Sequence, residues 1–510
     1  MGQLELNSFA KGLNNFLDPA NIGTEYASDL LDVSLDKGIL HSTKGNRLTS
    51  FLDETELNHF GKANRSVAKQ FGRHYWSIND ATEAPFYGGD IMDLGIQPPK
   101  KLIRLSVIEA PEEDNGEGEE GTEEEVYNLA GEYKYCYCYI VNGYESAPAE
   151  FNKDYYTSAY VKRGKIQLYF DSIPEWVQQV KIYRTIDNGA EFYSLALLNR
   201  GQIAGATYED NLSDTDLLFG EPMESLYFLP PPDNGKYLIE NQGAFFCAVD
   251  DKLYFSEIFN CHAWNPSNWI SFDDNITGIV AEFQGLLVFT RNRVYKVVGN
   301  SVDTIEKVEI PTHQGCINHR TCATLSNAPI WLSNDGLCMW DGQSVKLISY
   351  GICRIDNQPI FGISANDCYY LFGKNDVIVF DTTIGGVYYR LSTKATYGWY
   401  DADLDKIFYR NDSDIFILFG STIDNYSYYS TGLLGSKFSK NEFRKLRVVS
   451  SNGYTVFIKD RKGRVFYKQT VEDIGISEIY LPSSIWLNGC SFMFQFQGEI
   501  REILLKTTDY

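Results

Sequence analysis

Histidine and cysteine recur at three-residue steps in one segment: His313, Cys316, His319 and Cys322. These are ligand types that tetrahedral zinc accepts. The spacing argues the other way. Three-residue steps along a strand send successive side chains to opposite faces, and structural zinc sites split their ligands into two pairs set well apart. Four buried or interfacial side chains with no metal are therefore expected. Asp401, Asp403 and Asp405 have the spacing that opens a calcium loop. Such a loop needs glycine at its sixth position and glutamate at its twelfth. This chain has Lys406 and Asp412 there. A turn leading into Ile407-Phe408-Tyr409 is expected instead.

Other reaction classes leave no signature. Serine hydrolases hold their nucleophile in Gly-x-Ser-x-Gly; no such run occurs, and Gly435-Ser-Lys-Phe-Ser439 lacks the glycines. No Gly-x-x-x-x-Gly-Lys-Ser/Thr phosphate cradle is present. A glycosidase needs two carboxylates across a cleft, and 68 acidic residues offer no way to choose a pair. Six histidines are too few for repeated acid–base centres. The chain is expected to carry no catalytic residue, no cofactor and no metal, and not to be an enzyme.

Charge narrows the partners. The net charge is −23 over 510 residues, whereas proteins that grip nucleic acid present basic patches to the phosphates. Tight DNA binding is disfavoured; passage of DNA along an acidic wall is not. The densest basic run is Arg461-Lys-Gly-Arg464. No run of about 18 apolar residues exists, so no membrane-spanning helix is expected. The start, MGQLELNSFAKG, has neither a basic nor an apolar leader region, and Leu6 breaks the myristoylation pattern. Ten cysteines lack framework spacing and read as buried reduced thiols, consistent with synthesis in the cytoplasm. Cys136 and Cys138 share a strand face about 6.6 Å apart, where a bridge would be strained.

The elements that hold these residues are strands. Aromatics make up 15% of the chain, and strands accept them well. Tyr133, Tyr135, Tyr137 and Tyr139 alternate with Lys134, Cys136, Cys138 and Ile140, which predicts a strand with one tyrosine face. Asn142-Gly143 is its turn. A second strand is predicted at Val180, Ile182 and Arg184, turning at Asp187-Asn-Gly-Ala190. Later in the chain a phrase recurs, a turn pair followed by a short apolar-aromatic run. It appears at Asp251–Phe255, Asn292–Tyr295, Asp335–Cys338, Asn366–Tyr370, Asp405–Tyr409 and Gly463–Tyr467. The steps are mostly near 40 residues, about one four-stranded propeller blade. Val377-Ile-Val-Phe380 and Ile415-Phe-Ile-Leu-Phe419 fit strands buried on both faces.

Proline marks the boundaries. Gln97-Pro-Pro-Lys-Lys101 cannot continue a sheet ladder, and Leu229-Pro-Pro-Pro-Asp-Asn-Gly235 is a stiff return. Leu102 to Ile108 is expected to be the first strand between them. Pro111 to Glu125 holds nine acidic residues in fifteen; it reads as a solvated loop between two strands, with a calcium- or partner-binding tongue as the functional alternative.

These phrases carry a resemblance. The Glu145-Ser-Ala-Pro turn, the Ile182-Tyr-Arg-Thr185 strand, Tyr208-Glu-Asp210 running on to Leu217-Leu-Phe-Gly-Glu-Pro-Met223, and Leu253-Tyr-Phe-Ser-Glu257 with His262-Ala-Trp-Asn265 resemble the tail nozzle, or tail hub, proteins of short-tailed phages. The likeness continues through Asn275–Ile279, Gly285–Thr290, Tyr295–Gly299, Gln314–Cys316 and Trp331–Gly336. The opening Gly12-Leu-Asn-Asn-Phe-Leu-Asp18 and Asp32-Val-Ser-Leu-Asp36 also fit. The resemblance implies an all-β fold: a β-propeller with an inserted fibronectin type III-like β-sandwich. Residues 1–97 would be the N-terminal part of the propeller, 98–224 the sandwich and 225–510 the main propeller. It implies a structural virion protein, a homo-hexameric ring below the head-to-tail adaptor around the DNA exit channel. Tail fibres or other tail proteins are implied as further partners, and duplex DNA would pass without tight binding. Assembly would occur in the host cytoplasm and the mature location would be the virion tail. Separately, Ser333-Asn-Asp-Gly-Leu-Cys-Met-Trp340 resembles the Asp-box turn of sialidase-like propellers, with Gly336 one place early and Met339 where threonine is usual. That box is a blade turn, not a catalytic element.

Two other readings stay open. One is a carbohydrate-binding or glycoside-cleaving propeller tail protein, which would show a deep aromatic-lined pocket with paired carboxylates on one propeller face. The other is a free bacterial surface propeller, disfavoured by the missing leader.

Overall fold

The computed structural model describes residues 3–5, 11–23, 25–36, 39–48, 65–70, 73–79, 91–111, 126–203, 207–383, 385–402, 404–412, 414–434, 443–482 and 490–507. The acidic run 112–125, Asp403 and residues 435–439 lie outside them. The protein is all-β, a β-propeller with an inserted β-sandwich of the fibronectin type III kind. The chain divides into two compact units: Met1–Lys62, Ile276–Val297 and Lys307–Tyr510 in one, Ala63–Asn275 and Val298–Glu306 in the other.

In the second unit, one antiparallel sheet of seven strands runs from Arg104–Glu109 to Thr207–Asp210. Its axis is Leu129–Val141. The first half of that strand pairs with Thr157–Tyr169 and the second half with Gln179–Thr185. The far end of Thr157–Tyr169 is flanked by Arg104–Glu109 and Thr207–Asp210. The sheet folds over on itself, so Tyr133, Tyr135, Tyr137 and Tyr139 share one core with Val180, Ile182, Ile166 and Leu168. The opposite face is buried as well. Cys136 and Cys138 pack there with Tyr183 and Phe192, under Tyr155 and Met223. Asn142 and Gly143 both have positive φ, 52° and 84°, as a tight hairpin turn between right-twisted strands demands.

Four-stranded antiparallel meanders follow one another along the chain. Their first strands are Lys236–Asn241, Gly278–Glu282, Ala323–Leu325, Pro359–Ala365 and Tyr397–Asp401, about 40 residues apart. In the first unit, the last four of these first strands lie in sequence against one another, as the inner strands of propeller blades do. The last meander has only three strands of its own, Tyr397–Asp401, Lys406–Asn411 and Asp414–Ile417. Arg47–Leu48 from the N-terminal segment supplies the fourth.

The recurring phrase does not hold one place in this repeat. Asp251–Phe255, Asn292–Tyr295 and Asp335–Cys338 enter third strands, whereas Asn366–Tyr370 and Asp405–Tyr409 enter second strands. Val377–Asp381 is buried throughout, as its apolar run predicts. The other run ends as a strand at Ile417, with Phe416 only half-buried and stacked on Tyr409 at 5.4 Å.

The C-terminal strands form two sheets. Phe443–Ser450, Gly475–Tyr480 and Glu499–Thr507 join Val33–Asp36 and Ile39–Ser42 in one. Tyr454–Lys459, Val465–Val471, Ser491–Phe496 and Ser427–Thr431 extend the other. Leu446, Val448, Ile479 and Ile503 of the first sheet share a core with Val456, Ile458, Phe492 and Phe494 of the second.

The opening segment is tied down by specific locks. Gly12 has φ +67°, and a Cβ there would sit 2.9 Å from the Tyr388 carbonyl oxygen, so only glycine fits. Asp32 is buried, and its carboxylate accepts from the Ser392 amide at 2.8 Å and from the Ser392 hydroxyl. Burial raises the Asp32 pKa, and those two hydrogen bonds oppose the rise.

Candidate functional site

The phrases that carry the resemblance meet one another in space. Arg184, from the Ile182–Thr185 phrase, is fully buried and donates to Asp210 of the Tyr208–Asp210 phrase at 2.8 Å. It also reaches the Leu212 carbonyl at 2.9 Å and Asp214 at 3.0 Å. Tyr135 donates to the same Asp210 oxygen at 2.7 Å, and the Tyr133 ring lies 5.0 Å from the guanidinium. A buried carboxylate and a buried guanidinium so bonded satisfy each other; either alone would be an uncompensated charge. Glu145 of the Glu145–Pro148 turn accepts from Tyr183 at 2.6 Å and from Ser225 at 2.5 Å. Ser146 accepts the Tyr139 amide at 3.0 Å.

The Leu253–Glu257 and His262–Asn265 phrases close a loop on themselves. Ser256 accepts the Phe245 amide, Asn268 donates to Glu257, and Trp264 donates to the Cys261 carbonyl. His262 is buried with its ring 4.7 Å from that of Tyr144, and its Nδ1 accepts the Gly95 amide at 3.0 Å. Burial pushes the His262 pKa down to about 4. The unfolded chain takes up this proton near pH 6.5, and the folded chain only near 4. Stability is therefore intact above pH 6.5 and declines as pH falls toward 4, by at most about 1.4 kcal/mol per pH unit. Thermal melts at pH 7.5 and 5.0 check this: the wild type should lose more melting temperature than His262→Gln. Equal losses would remove His262 as the cause.

A similar lock joins four blade phrases. Gln314 donates to Asp335 at 2.7 Å and accepts from Ser333 at 2.7 Å, while its carbonyl accepts from Trp331 at 2.9 Å. Thr277 donates to the Cys316 carbonyl at 2.6 Å. Gly315 packs so closely on Thr290 that a Cβ would lie 2.2 Å from its carbonyl oxygen. Ser333 to Gly336 is the turn before the strand Leu337–Trp340, as the box comparison predicts.

The His313 to Cys322 cluster needs a correction in its geometry. The segment is not a strand: His319–Thr321 is a single 3-10 turn. That turn brings Cys316 and Cys322 together, with sulfurs 3.5 Å apart, instead of sending them to opposite faces. His319 Nδ1 faces the Ile279 amide at 3.4 Å. Among the described residues, no group of three or more His, Cys, Asp or Glu is placed to hold a metal ion. Asp401 and Asp405 sit in the hairpin between Tyr397–Asp401 and Lys406–Asn411. Asp401 accepts the Leu404 amide, and Asp405, at φ 52°, accepts from Tyr400. Nine of the ten cysteines are buried, and all ten are free thiols. Cys136 faces Met223, and Cys138 faces Ser225.

Sequence reasoning missed one surface. Val465–Val471 and Gly475–Tyr480 are joined by a short connection, and each ends its sheet. Among the described residues no strand pairs with the outer side of either. Alternation along Gly475–Tyr480 buries Ser477 and Ile479 and leaves Ile476 and Tyr480 outside, 62% and 72% exposed. Ile474, Val465 and Phe466 are exposed as well. The visible signal was Ile474-x-Ile476, two apolar residues at the entry of the strand Gly475–Tyr480, with Ile476 in phase with Glu478 and Tyr480. The basic run lies in the hairpin turn that precedes this flank, where Arg464 pairs with Asp460 at 2.8 Å.

In the second unit an aromatic-lined cavity of about 470 Å³ opens beside Tyr137, Tyr139 and Trp176. It lies on the sandwich and holds a single carboxylate, Asp171.

No protein-family model matches the chain, and no curated protein matches it. Among solved structures the chain is similar to the extracellular domain of the putative one component system BT4673 from B. thetaiotaomicron. The identity is 9%, over 89% of this chain and 66% of that one, with a TM-score of 0.31. It is also similar to BBS1N in complex with ARL6DN, at 10% identity over 61% and 90%, TM-score 0.28. A third similar structure is PorZ, a surface component of the type-IX secretion system of Porphyromonas gingivalis, at 11% identity over 96% and 76%, TM-score 0.27. At these scores the likenesses carry no argument about function. Among the described residues no helix is long and apolar enough to cross a membrane.

Proposed function

We propose that the protein is a structural component of a short-tailed phage virion. In this reading it is a nozzle or hub subunit that joins copies of itself, six by the resemblance, into a ring below the head-to-tail adaptor. The ring surrounds the DNA exit channel and offers a seat for tail fibres. The observation that carries the reading is the mutual locking of the phrases that resemble that family: Arg184 with Asp210, Glu145 with Tyr183, and Gln314 with Ser333, Trp331 and Asp335. These residues bond to one another, and a set of this kind serves a scaffold.

A ring requires a heterologous contact that closes. The flank Val465–Tyr480 suits one side of it. Open strand edges are templates for pairing, and soluble proteins usually blunt them with charge or proline. This flank sets Val465, Phe466, Ile474 and Ile476 among the exposed charges Lys468, Glu472, Asp473 and Glu478, so apolar contact and charge both stand on it. The chain's net charge of −23 suits a conduit, because every phosphate contact made by an advancing duplex must break again. Mass photometry of the purified chain, alone and with an adaptor ring, tests the assembly. A chain that stays monomeric under both conditions overturns it.

A further inference from the structure

The cavity on the sandwich is built from three separate stretches of chain. The tyrosine face of Leu129–Val141 contributes Tyr137 and Tyr139, the proline boundary contributes Gln97 and Lys101, and the loop after Thr157–Tyr169 contributes Asp171 and Trp176. Tyr137 is fixed by donating to the Lys101 carbonyl at 2.9 Å. Trp176 is braced edge-on by Tyr139, with ring centres 5.6 Å apart at 90°, yet 48% of it stays exposed. Leaving a tryptophan half in water on a wall of a cavity gives up burial that its neighbours could have used. Asp171 pairs with Lys101 at 3.1 Å and with Arg104 at 3.4 Å.

We infer that this cavity binds a saccharide. Its volume lies within the range of small-molecule sites, about 300 to 1,000 Å³. A pyranose has a C–H-rich face that stacks on an indole and a rim of hydroxyls that both donate and accept. The Asp171–Lys101 pair has spare lone pairs on the carboxylate and spare N–H groups on the ammonium. Vicinal hydroxyls satisfy both at once. A purely apolar ligand would strand the ion pair, and the wall sets Lys100 and Lys101 beside Asp171, so polar groups that both donate and accept are matched there.

The inference is independent of ring assembly, since binding is read on the chain in any oligomeric state. The test is saturation-transfer NMR and calorimetry on the full chain with glucose, galactose, N-acetylglucosamine and maltose as probes, and adenosine as a stacking control. At least one saccharide should bind. Trp176→Ala should weaken that binding at least tenfold, Trp176→Phe should retain most of it, and Asp171→Asn should weaken it. All three variants should stay folded, since Trp176 is about half exposed and the Asp171 ion pairs are with exposed Lys101 and Arg104. Absence of binding by every saccharide, binding indifferent to Trp176→Ala, or binding of adenosine alone would each overturn the inference.

Discussion

Arg184→Ala should unfold the sandwich at a markedly lower temperature than the parent. Arg184 and the Asp210 carboxylate are both fully buried and 2.8 Å apart. Removing the guanidinium leaves a charge in the interior whose remaining bonds, from Tyr135 and the Leu212 amide, are neutral donors. Breaking one side of such a pair costs about 3–5 kcal/mol. For a unit of this size that corresponds to a drop of roughly 10 °C. The matched variant Arg184→Met with Asp210→Asn removes both charges and should recover much of the loss. Calorimetry, or proteolysis followed at the sandwich strands, checks it. If Arg184→Ala melts with the parent, the pair is not what binds the two phrases together.

The second large effect should fall on assembly and leave the fold alone. Ile474→Lys combined with Ile476→Lys places two charges on the open edge at positions 73% and 62% exposed. Exposed substitutions of this kind shift stability by about 0.5 kcal/mol or less. Charge on an edge strand opposes pairing with a second strand. Self-association should weaken at least tenfold, a change of about 1.4 kcal/mol, while the thermal midpoint stays within a degree or two. Unchanged assembly in this variant would move the subunit contact elsewhere on the chain.

The parts of the fold legible in the sequence are those set by local chemistry. Tyrosines 133, 135, 137 and 139 announce their strand by period alone, and the Asn142-Gly143 turn follows from the positive φ that such a hairpin needs. The blade spacing was legible too, but not the place of the phrase within each blade. A turn pair such as Asn366-Asp367, with φ of 50° and 58°, marks a hairpin wherever it occurs. It does not say whether that hairpin joins the first and second strands or the second and third. Contributions from afar left no local mark. Arg47–Leu48 completes the last blade from about 370 residues away, and neither residue is buried there. The His313–Cys322 geometry was misjudged because spacing was converted to direction through strand geometry, and the 3-10 turn at His319–Thr321 changes the angle between successive side chains. Alternation in Tyr454–Lys459 and Ser491–Phe496 shows which face is buried. Which sheet those strands join is decided by pairing, and pairing is not a property of either segment alone.

The proposed scaffold role stands or falls on ring building. Mass photometry tests it most directly, on the purified chain alone and again with a preassembled head-to-tail adaptor ring. One chain is 58.0 kDa, so six copies would add about 350 kDa to the adaptor ring or appear as a particle of that mass. Such a closed multiple is expected under at least one of the two conditions, and it should be lost in the Ile474→Lys, Ile476→Lys variant. A single peak at the mass of one chain, with and without the adaptor, would contradict it.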